Sequence, residues 1–203
     1  ASEDLSIRDI DVELLWKTRY IHIASLRIDT TLEILKLLEG GKRPIVSWDP
    51  GRVLSLSGLS RLKPIISAVD IVSVNKREIF YITGENDYVK AAEELRSLGP
   101  KIVIVKRGSE GVYLVSDSVR VDIPAFQPKE VVDTTGAGDA FMAGFYSALK
   151  RGYDLEESVK YAALVASIKV SRLGSHEIPK HDEVLRIARD SYKVSFKNHD
   201  TTS

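Results

Sequence analysis

The segment VVDTTGAGDAF, residues 131–141, combines residue types that bind anions and transfer protons. An apolar run typical of a helix interior follows Gly136 and Gly138. The first N–H groups of a helix have no internal partner and the helix dipole is positive there, so glycines allow an anionic oxygen to approach them. Asp139 would repel a bound phosphate, and it therefore fits a base that accepts a proton from an attacking hydroxyl. The pattern indicates phosphoryl transfer, with the N–H groups stabilising the charge that develops on the transferring group.

A structural explanation of the same segment is also open. Acidic side chains are common in first helical turns because of the helix dipole, and Gly-x-Gly is common in turns. On GAGD alone, a helix cap and an anion site both remain possible explanations.

Alternating apolar strands and helical segments predict the elements that must position these residues. Thr30 and Glu33 have capping-box spacing, which predicts that a helix begins there and ends before Gly40-Gly41. We predict an α/β fold with a doubly wound, mainly parallel sheet, helices on both faces and an antiparallel hairpin at one edge. The predicted strands are 20–26, 44–49, 70–75 and 101–106, the hairpin is 111–124, and the later helices are about 76–82, 87–98, 137–150, 155–171 and 180–190.

In such a sheet, ligands bind at the carboxyl ends of the strands. Four polar segments follow predicted strands or the hairpin, and we expect them on one rim. They are WDPGR (48–52), NKRE (75–78), KRGSEG (106–111) and DTTGAGD (133–139).

Composition excludes several classes of protein. The 203 residues correspond to about one domain, and 29 basic residues balance 29 acidic ones. This balance does not indicate a nucleic-acid or anionic-membrane partner. The chain has no Cys, so it has no disulfide or thiolate metal site, and its apolar runs are too short to span a bilayer. With no visible secretory signal, we expect a cytoplasmic protein.

DTTGAGDAF (133–141) closely resembles the second signature of the ribokinase-like carbohydrate kinases, the phosphofructokinase-B group. DIVSVNKRE (70–78), VIVKRGSEG (103–111) and RLGSHEIP (172–179) agree with that family in order and spacing. WDPGR is similar to the family's Asp-Pro-Asn-x-Arg, with Gly51 in the place of Asn. The sequence has no Gly-x-x-x-x-Gly-Lys-Ser/Thr, so the phosphate chemistry does not rest on a P-loop.

The resemblance implies a catalytic base at Asp139 and a backbone anion hole at Gly136, Ala137 and Gly138. It implies ATP and Mg²⁺ as cofactors, with a small sugar-like molecule as substrate. The expected activity is ATP-dependent phosphorylation of a sugar or sugar-acid hydroxyl. A nucleoside kinase of the same family is the nearest alternative. A non-catalytic nucleotide-binding remnant that acts as an interaction module is another, although such a remnant has no need of Asp139.

Asn75 and Glu78 are similar to the pair that organises magnesium and phosphate in this family, Glu78 through water. The same spacing is a capping pattern, Asn at the N-cap and Glu three residues later, and that alternative stays open. Lys106, Arg107, Gly108 and Gly111 look like the adenine-nucleotide loop. Arg107 could equally be a solvated turn charge.

Asp133 and Thr135 resemble ligands of the family's monovalent-cation site, such as a K⁺ site, which not every member uses. Asp133 could instead cap the approach to the helix. Arg172 and Gly174 lie in the loop that borders this site in the family.

Family members are longer at the N-terminus. The resemblance therefore implies that residues 1–203 are one ribokinase-like domain, N-terminally incomplete, without the first strands and the small β lid. A fragment, a part of a longer protein and a natural short form are the three alternatives that the sequence leaves open. Most groups that hold the sugar belong to that part, so the substrate is not determined by these residues. A homodimer is an expectation that the sequence leaves open.

Overall fold

The computed structural model describes residues 5–41, 43–174 and 177–196. Ser175 and His176 of the RLGSHEIP segment lie outside the described residues. The strands are β1 (Tyr20–Ala24), β2 (Ile45–Asp49), β3 (Ile71–Asn75), β4 (Ile102–Lys106), β5 (Val112–Ser116) and β6 (Arg120–Ile123). The helices are α1 (Val12–Lys17), α2 (Ile28–Leu37), α3 (Gly51–Ser55), α4 (Gly58–Ile66), α5 (Lys76–Thr83), α6 (Tyr88–Ser97), α7 (Ala137–Lys150), α8 (Leu155–Val170) and α9 (His181–Tyr192).

The strands form one sheet in sequence order, from β1 to β6. The pairs β1–β2, β2–β3 and β3–β4 are parallel. Residues 107–111 join β4 to β5 and residues 117–119 join β5 to β6. Connections this short fit antiparallel neighbours, because a parallel pair requires a crossover of a dozen or more residues. The predicted α/β fold, with a mainly parallel sheet and an antiparallel hairpin at its edge, is confirmed.

Contacts divide the chain into two compact units, residues 1–106 with 113–120, and residues 107–112 with 121–203. In the first unit, alternate strand residues such as Trp48, Val74 and Val105 pack with apolar side chains of α2, α4, α5 and α6. Residues of the opposite sheet face are buried too, including Ser73 and Ile104. Burial on both faces explains why β4 reads as a nearly continuous apolar run rather than an alternating one.

Two parts of the first unit differ from the prediction or extend it. The capping box predicted at Thr30 and Glu33 is wrong, because α2 begins at Ile28 and Thr30 lies buried inside it. Asp29 Oδ1 accepts the Thr30 N–H at 3.0 Å and so takes over part of the capping role. Helices α1, α3 and α4 occupy stretches for which the sequence pattern yields no prediction, and α4 contains Pro64.

In the second unit, α7 and α8 pack closely through small residues. A Cβ on the buried Gly144 of α7 would lie 3.0 Å from Val165 Cβ and 3.1 Å from Ala162 Cα. Tyr161 of α8 continues this core toward α9, where its hydroxyl hydrogen-bonds His181 Nδ1 at 2.9 Å. Throughout the part of the chain that the structure describes, no helix has the length and apolar character needed to cross a membrane.

Candidate active site

Three polar side chains end adjacent strands of the first unit. Asp49 ends β2, Asn75 ends β3 and Lys106 ends β4, with Asn75 and Lys106 paired in register. Lys106 Nζ donates to Asp49 Oδ2 at 2.6 Å, and both side chains are only 16% exposed. The parallel register therefore brings residues far apart in sequence to one edge of the sheet, as expected for strand carboxyl ends.

Asp49 is a residue that sequence reasoning did not select. Its Oδ1 accepts the Gly51 N–H at 3.0 Å, so the carboxylate also shapes the turn that follows β2. A signal was present, since Asp49 ends a predicted strand and precedes Pro-Gly. Its pairing with Lys106 could not be inferred without the register of β2 and β4 on the one strand between them, β3.

Asn75 and Glu78 form the capping box at the start of α5. Asn75 Oδ1 accepts the N–H groups of Arg77 and Glu78, each at 2.9 Å. Glu78 Oε2 accepts the Asn75 N–H at 2.8 Å. The capping alternative is thus confirmed by geometry, while a role of the same pair toward magnesium stays a prediction.

The Glu78 carboxyl is buried, with 6% of the residue exposed. Burial raises its pKa above the usual value, and the nearby Asp49 carboxylate raises it further. The hydrogen bond from Asn75 and the charge of Lys106 lower the pKa but do not cancel the effect of burial. Among Asp49, Glu78 and Lys106, two carboxylates face one ammonium, which makes this edge favourable for a further cation.

Arg107 begins the turn after β4 and belongs to the second unit. Its backbone N–H donates to the Gly111 carbonyl at 2.8 Å, which closes the turn. Its guanidinium pairs with Asp122, and the Arg107 side chain is only 7% exposed. The alternative that Arg107 is a solvated turn charge is therefore wrong.

The two glycines of this turn are required for different reasons. Gly111 has φ +97°, and a Cβ there would lie 2.0 Å from the Ile123 carbonyl oxygen and 2.8 Å from the Ala125 nitrogen. Gly108 has φ +61°, but a Cβ there would meet nothing within 4 Å. Gly111 thus permits close backbone packing, whereas Gly108 provides only the left-handed conformation.

The start of α7 contains the predicted anion hole and base. Gly136 is the N-cap residue, with φ +76°, and its carbonyl accepts the Ala140 N–H at 2.9 Å. The Ala137 N–H donates to the Thr134 carbonyl at 3.2 Å, so it already has a partner, whereas Gly138 and Asp139 follow in the first turn. Asp139 is exposed there. The proposed roles of these residues remain predictions.

Asp133 is held firmly in the loop that leads into α7. Its Oδ1 accepts the Thr135 N–H at 2.8 Å and its Oδ2 accepts the Gly174 N–H at 3.0 Å. These bonds lower the pKa of Asp133 to about 2, first through the Thr135 N–H, then through the Thr135 side chain and the Gly174 N–H. The alternative that Asp133 caps the approach to the helix matches its bond to Thr135.

A buried lysine of α8 lies beside Asp133. Lys169 Nζ donates to the Asp133 backbone carbonyl at 2.9 Å and lies 4.0 Å from its Oδ2. Sequence reasoning missed Lys169, because one lysine in the apolar helical run ALVASIKV gives no sign of burial.

Arg172, which follows α8, pairs with Glu183 of α9. Over 5–41, 43–174 and 177–196, no group of three or more His, Cys, Asp or Glu side chains is arranged to hold a metal ion.

The sequence profile of pfkB family carbohydrate kinases matches residues 9–181. This chain belongs to the pfkB carbohydrate kinase family. It is 38% identical over 145 residues to a cytidine kinase from Thermococcus kodakarensis, an alignment that covers 70% of this chain and 51% of that relative. The chain therefore spans about half the length of that relative.

Two ribokinases share the fold of this pfkB chain. The crystal structure of a ribokinase from Thermotoga maritima superposes with a TM-score of 0.80 at 34% identity, covering 94% of this chain and 63% of that one. The ribokinase of Arabidopsis thaliana, solved in complex with ribose and ATP, superposes with a TM-score of 0.77 at 27% identity, covering 93% and 61%. The resemblance to ribokinase-like kinases drawn from the sequence is thus confirmed.

Proposed function

We propose that this chain carries the phosphoryl-transfer part of an ATP-dependent kinase that acts on a hydroxyl of a sugar or sugar acid. One observation carries the proposal. The start of α7 places an exposed carboxylate, Asp139, in the first turn behind the left-handed N-cap Gly136. Family membership supports the same chemistry.

In the proposed reaction, Asp139 accepts the proton of the acceptor hydroxyl as its oxygen attacks the γ-phosphorus of ATP. A bond forms between that oxygen and phosphorus, and the bond from phosphorus to the β–γ bridging oxygen breaks. The products are a phosphate ester and ADP. An exposed carboxylate suits this role, because it can reach a bound hydroxyl without first breaking an internal ion pair.

The N–H groups at the start of α7 stabilise the charge that develops on the transferring group. The glycine N-cap suits this purpose, because no side chain covers the helix end. The Ala137 N–H is engaged by Thr134 at 3.2 Å, a long bond that a phosphate oxygen could displace. Gly138 is the residue whose N–H we expect to contribute most.

The residues near Asp49 fit a magnesium ion that is held through water. Their donors are carboxylate and amide oxygens, the ligands that Mg²⁺ prefers, and the buried Glu78 adds negative charge. In this proposal Glu78 and Asn75 position the hydrated ion, which neutralises phosphate charge when bound. Lys106, Arg107, Gly108 and Gly111 form the loop that we expect to hold the nucleotide.

A nucleoside kinase is the second candidate function. The 38% identity to a cytidine kinase favours it over a kinase for an unrelated acceptor. Both candidates use the same Asp139 chemistry and differ only in the acceptor. A nucleotide-binding module without catalysis is the third candidate, and the exposed Asp139 argues against it.

The deciding experiment measures ADP release from ATP and Mg²⁺ with the whole protein that contains this chain, including any sequence before residue 1, and with its Asp139→Asn variant. The panel of acceptors contains sugars, sugar acids and nucleosides at equal concentration. Acceptor-dependent ADP release that the variant loses supports the kinase, and the preferred acceptor separates the first two candidates. ATP binding without acceptor-dependent release for any compound supports the non-catalytic module and contradicts the proposal.

A further inference from the structure

Lys169 is the fully buried cation beside the loop that leads into α7. The whole residue is 0% exposed, and its ammonium donates to the Asp133 carbonyl oxygen at 2.9 Å. A buried ammonium is costly unless it is paired and hydrogen-bonded. Here the Asp133 carboxylate, 4.0 Å away, supplies the opposite charge.

The same loop is attached to the end of α8 by its backbone. The N–H groups of Val132 and Asp133 both donate to the Val170 carbonyl, at 2.8 and 3.1 Å. Lys169 and Val170 thus hold one short segment from two sides, by a side chain and a carbonyl. The position of Asp133 is fixed by α8 before any ligand binds.

Asp133 and Thr135 are the residues for which the family resemblance implies a monovalent cation. In this chain these two residues are poorly suited to a free monovalent cation. The Asp133 carbonyl is occupied by the Lys169 ammonium, and both carboxylate oxygens already accept N–H groups, from Thr135 and Gly174. A second cation at Asp133 would also be repelled by the Lys169 ammonium, which lies 4.0 Å from Asp133 Oδ2.

We propose that Lys169 supplies, from within the chain, the positive charge that a bound monovalent cation would bring to this loop. An ammonium group and K⁺ have similar radii and both prefer oxygen partners, so one can stand in for the other. The loop at Asp133 then takes its shape without K⁺. The effect of Lys169 on catalysis rests on the proposed kinase function. The prediction that the loop needs no K⁺ does not depend on that function.

The first test compares the melting temperature of the unmodified chain in KCl, NaCl and choline chloride at equal ionic strength. Choline is too large to enter a K⁺ site, so it reports the effect of salt alone. We expect the same melting temperature in the three salts. A rise that is specific to K⁺ or Na⁺ would mean that a free cation binds, and would overturn the proposal.

The second test uses Lys169→Ala, which removes the ammonium and leaves space at Asp133. In choline chloride its melting temperature should fall by about 6–20 °C, as expected when one partner of a buried pair is removed in a domain of this size. KCl should recover a large part of the loss. Lys160→Ala, on the same helix but less buried, is the control and should show neither effect.

A Lys169→Ala variant that melts at the same temperature in KCl and in choline chloride contradicts the proposal. If the variant folds in neither salt, the comparison of salts with the unmodified chain decides alone. Neither measurement needs acceptor or turnover. If the proposed kinase function is wrong but the Lys169 proposal is right, ADP release is absent while the melting temperature of the unmodified chain is the same in KCl and in choline chloride.

Discussion

Asp139 and Glu78 are carboxylates in two different settings. Asp139 is exposed in the first turn of α7, whereas Glu78 is buried and bonded to the backbone of Asn75. An exposed side chain can be replaced with little effect on folding, while a buried one couples its charge to stability. Substitutions at these two positions therefore have different expected outcomes.

Asp139→Asn should lower turnover by at least about 10²-fold, the usual scale for loss of a general base. Its melting temperature should change little, because the side chain is exposed and loses only a helix-dipole contribution of about 0.3–1 kcal/mol. Steady-state kinetics and thermal melting measure the two effects. Asp182→Asn, in the first turn of α9, is the control for the dipole contribution. Near-normal turnover of Asp139→Asn would show that another group accepts the proton.

Glu78→Gln should be relatively more stable at neutral pH than at acid pH, compared with the unmodified chain. The folded pKa of Glu78 is raised, so ionising it costs stability as pH rises above its unfolded value of about 4.3. Gln can still accept the Asn75 N–H, so the cap is retained. Melting temperatures between about pH 4 and 8 should show the two proteins converging at the acid end.

Glu93→Gln is the matched control, because its sign is opposite. Arg120, and then Arg96, lower the Glu93 pKa, so its charge stabilises the fold at neutral pH and this contribution is lost on acidification. The Glu93→Gln variant should therefore be less stable than the unmodified chain at pH 7.

The proposed role of Glu78 toward magnesium is tested separately. If Glu78 organises Mg²⁺, Glu78→Gln should raise the Mg²⁺ concentration needed for half-maximal rate.

At the scale of elements, the sequence predicted the helices and strands that have strong hydrophobic periodicity and clear end signals. The apolar run of β4 and the glycines that flank α7 are local signals, so these elements were predicted nearly to the residue. Helix α4 was not predicted, because Pro64 and Gly58 suggest a loop and the burial of α4 depends on the helices around it. Contacts such as Lys106 with Asp49 join residues 57 apart and depend on strand register, which no local pattern contains.

The turn between β4 and β5 gives a test at this scale. Gly111→Ala should destabilise the chain severely, by about 3 kcal/mol or more, because its Cβ would overlap backbone atoms and its φ is positive. Gly108→Ala should cost only about 1–2 kcal/mol, the cost of the left-handed backbone, since nothing lies near its Cβ. Denaturant unfolding of both variants measures the difference. Equal losses would mean that Ile123 can move away without cost.

At the scale of the whole molecule, the balanced charge provides no bulk electrostatic attraction for an anionic ligand, so the proposed nucleotide binding depends on specific groups. The fold was predictable because several segments agreed with one family in order and spacing. The acceptor could not be predicted from the sequence, because the motifs do not include the residues that would distinguish a sugar from a nucleoside. That one domain forms from all 203 residues stays a prediction.

ATP with Mg²⁺ should raise the melting temperature of the chain. At 100 times the dissociation constant, a ligand that binds only the folded state adds about 2.7 kcal/mol, which corresponds to about 5–10 °C for a chain of this size. Removing Mg²⁺ with EDTA should abolish most of the shift. Asp139→Asn should keep it, because the base acts on the acceptor. A melting temperature that ATP and Mg²⁺ leave unchanged would contradict nucleotide binding by this chain.

Lys169 has a consequence that a diffusing ion would not have. Its ammonium is joined to α8 by covalent bonds and reaches the Asp133 carbonyl as the chain folds. Its occupancy therefore has no dissociation constant: dilution, dialysis or a change in the salt of the cell cannot remove it. Under the proposal made for Lys169, the loop before α7 would be insulated from potassium homeostasis, and it would give up any means of responding to it.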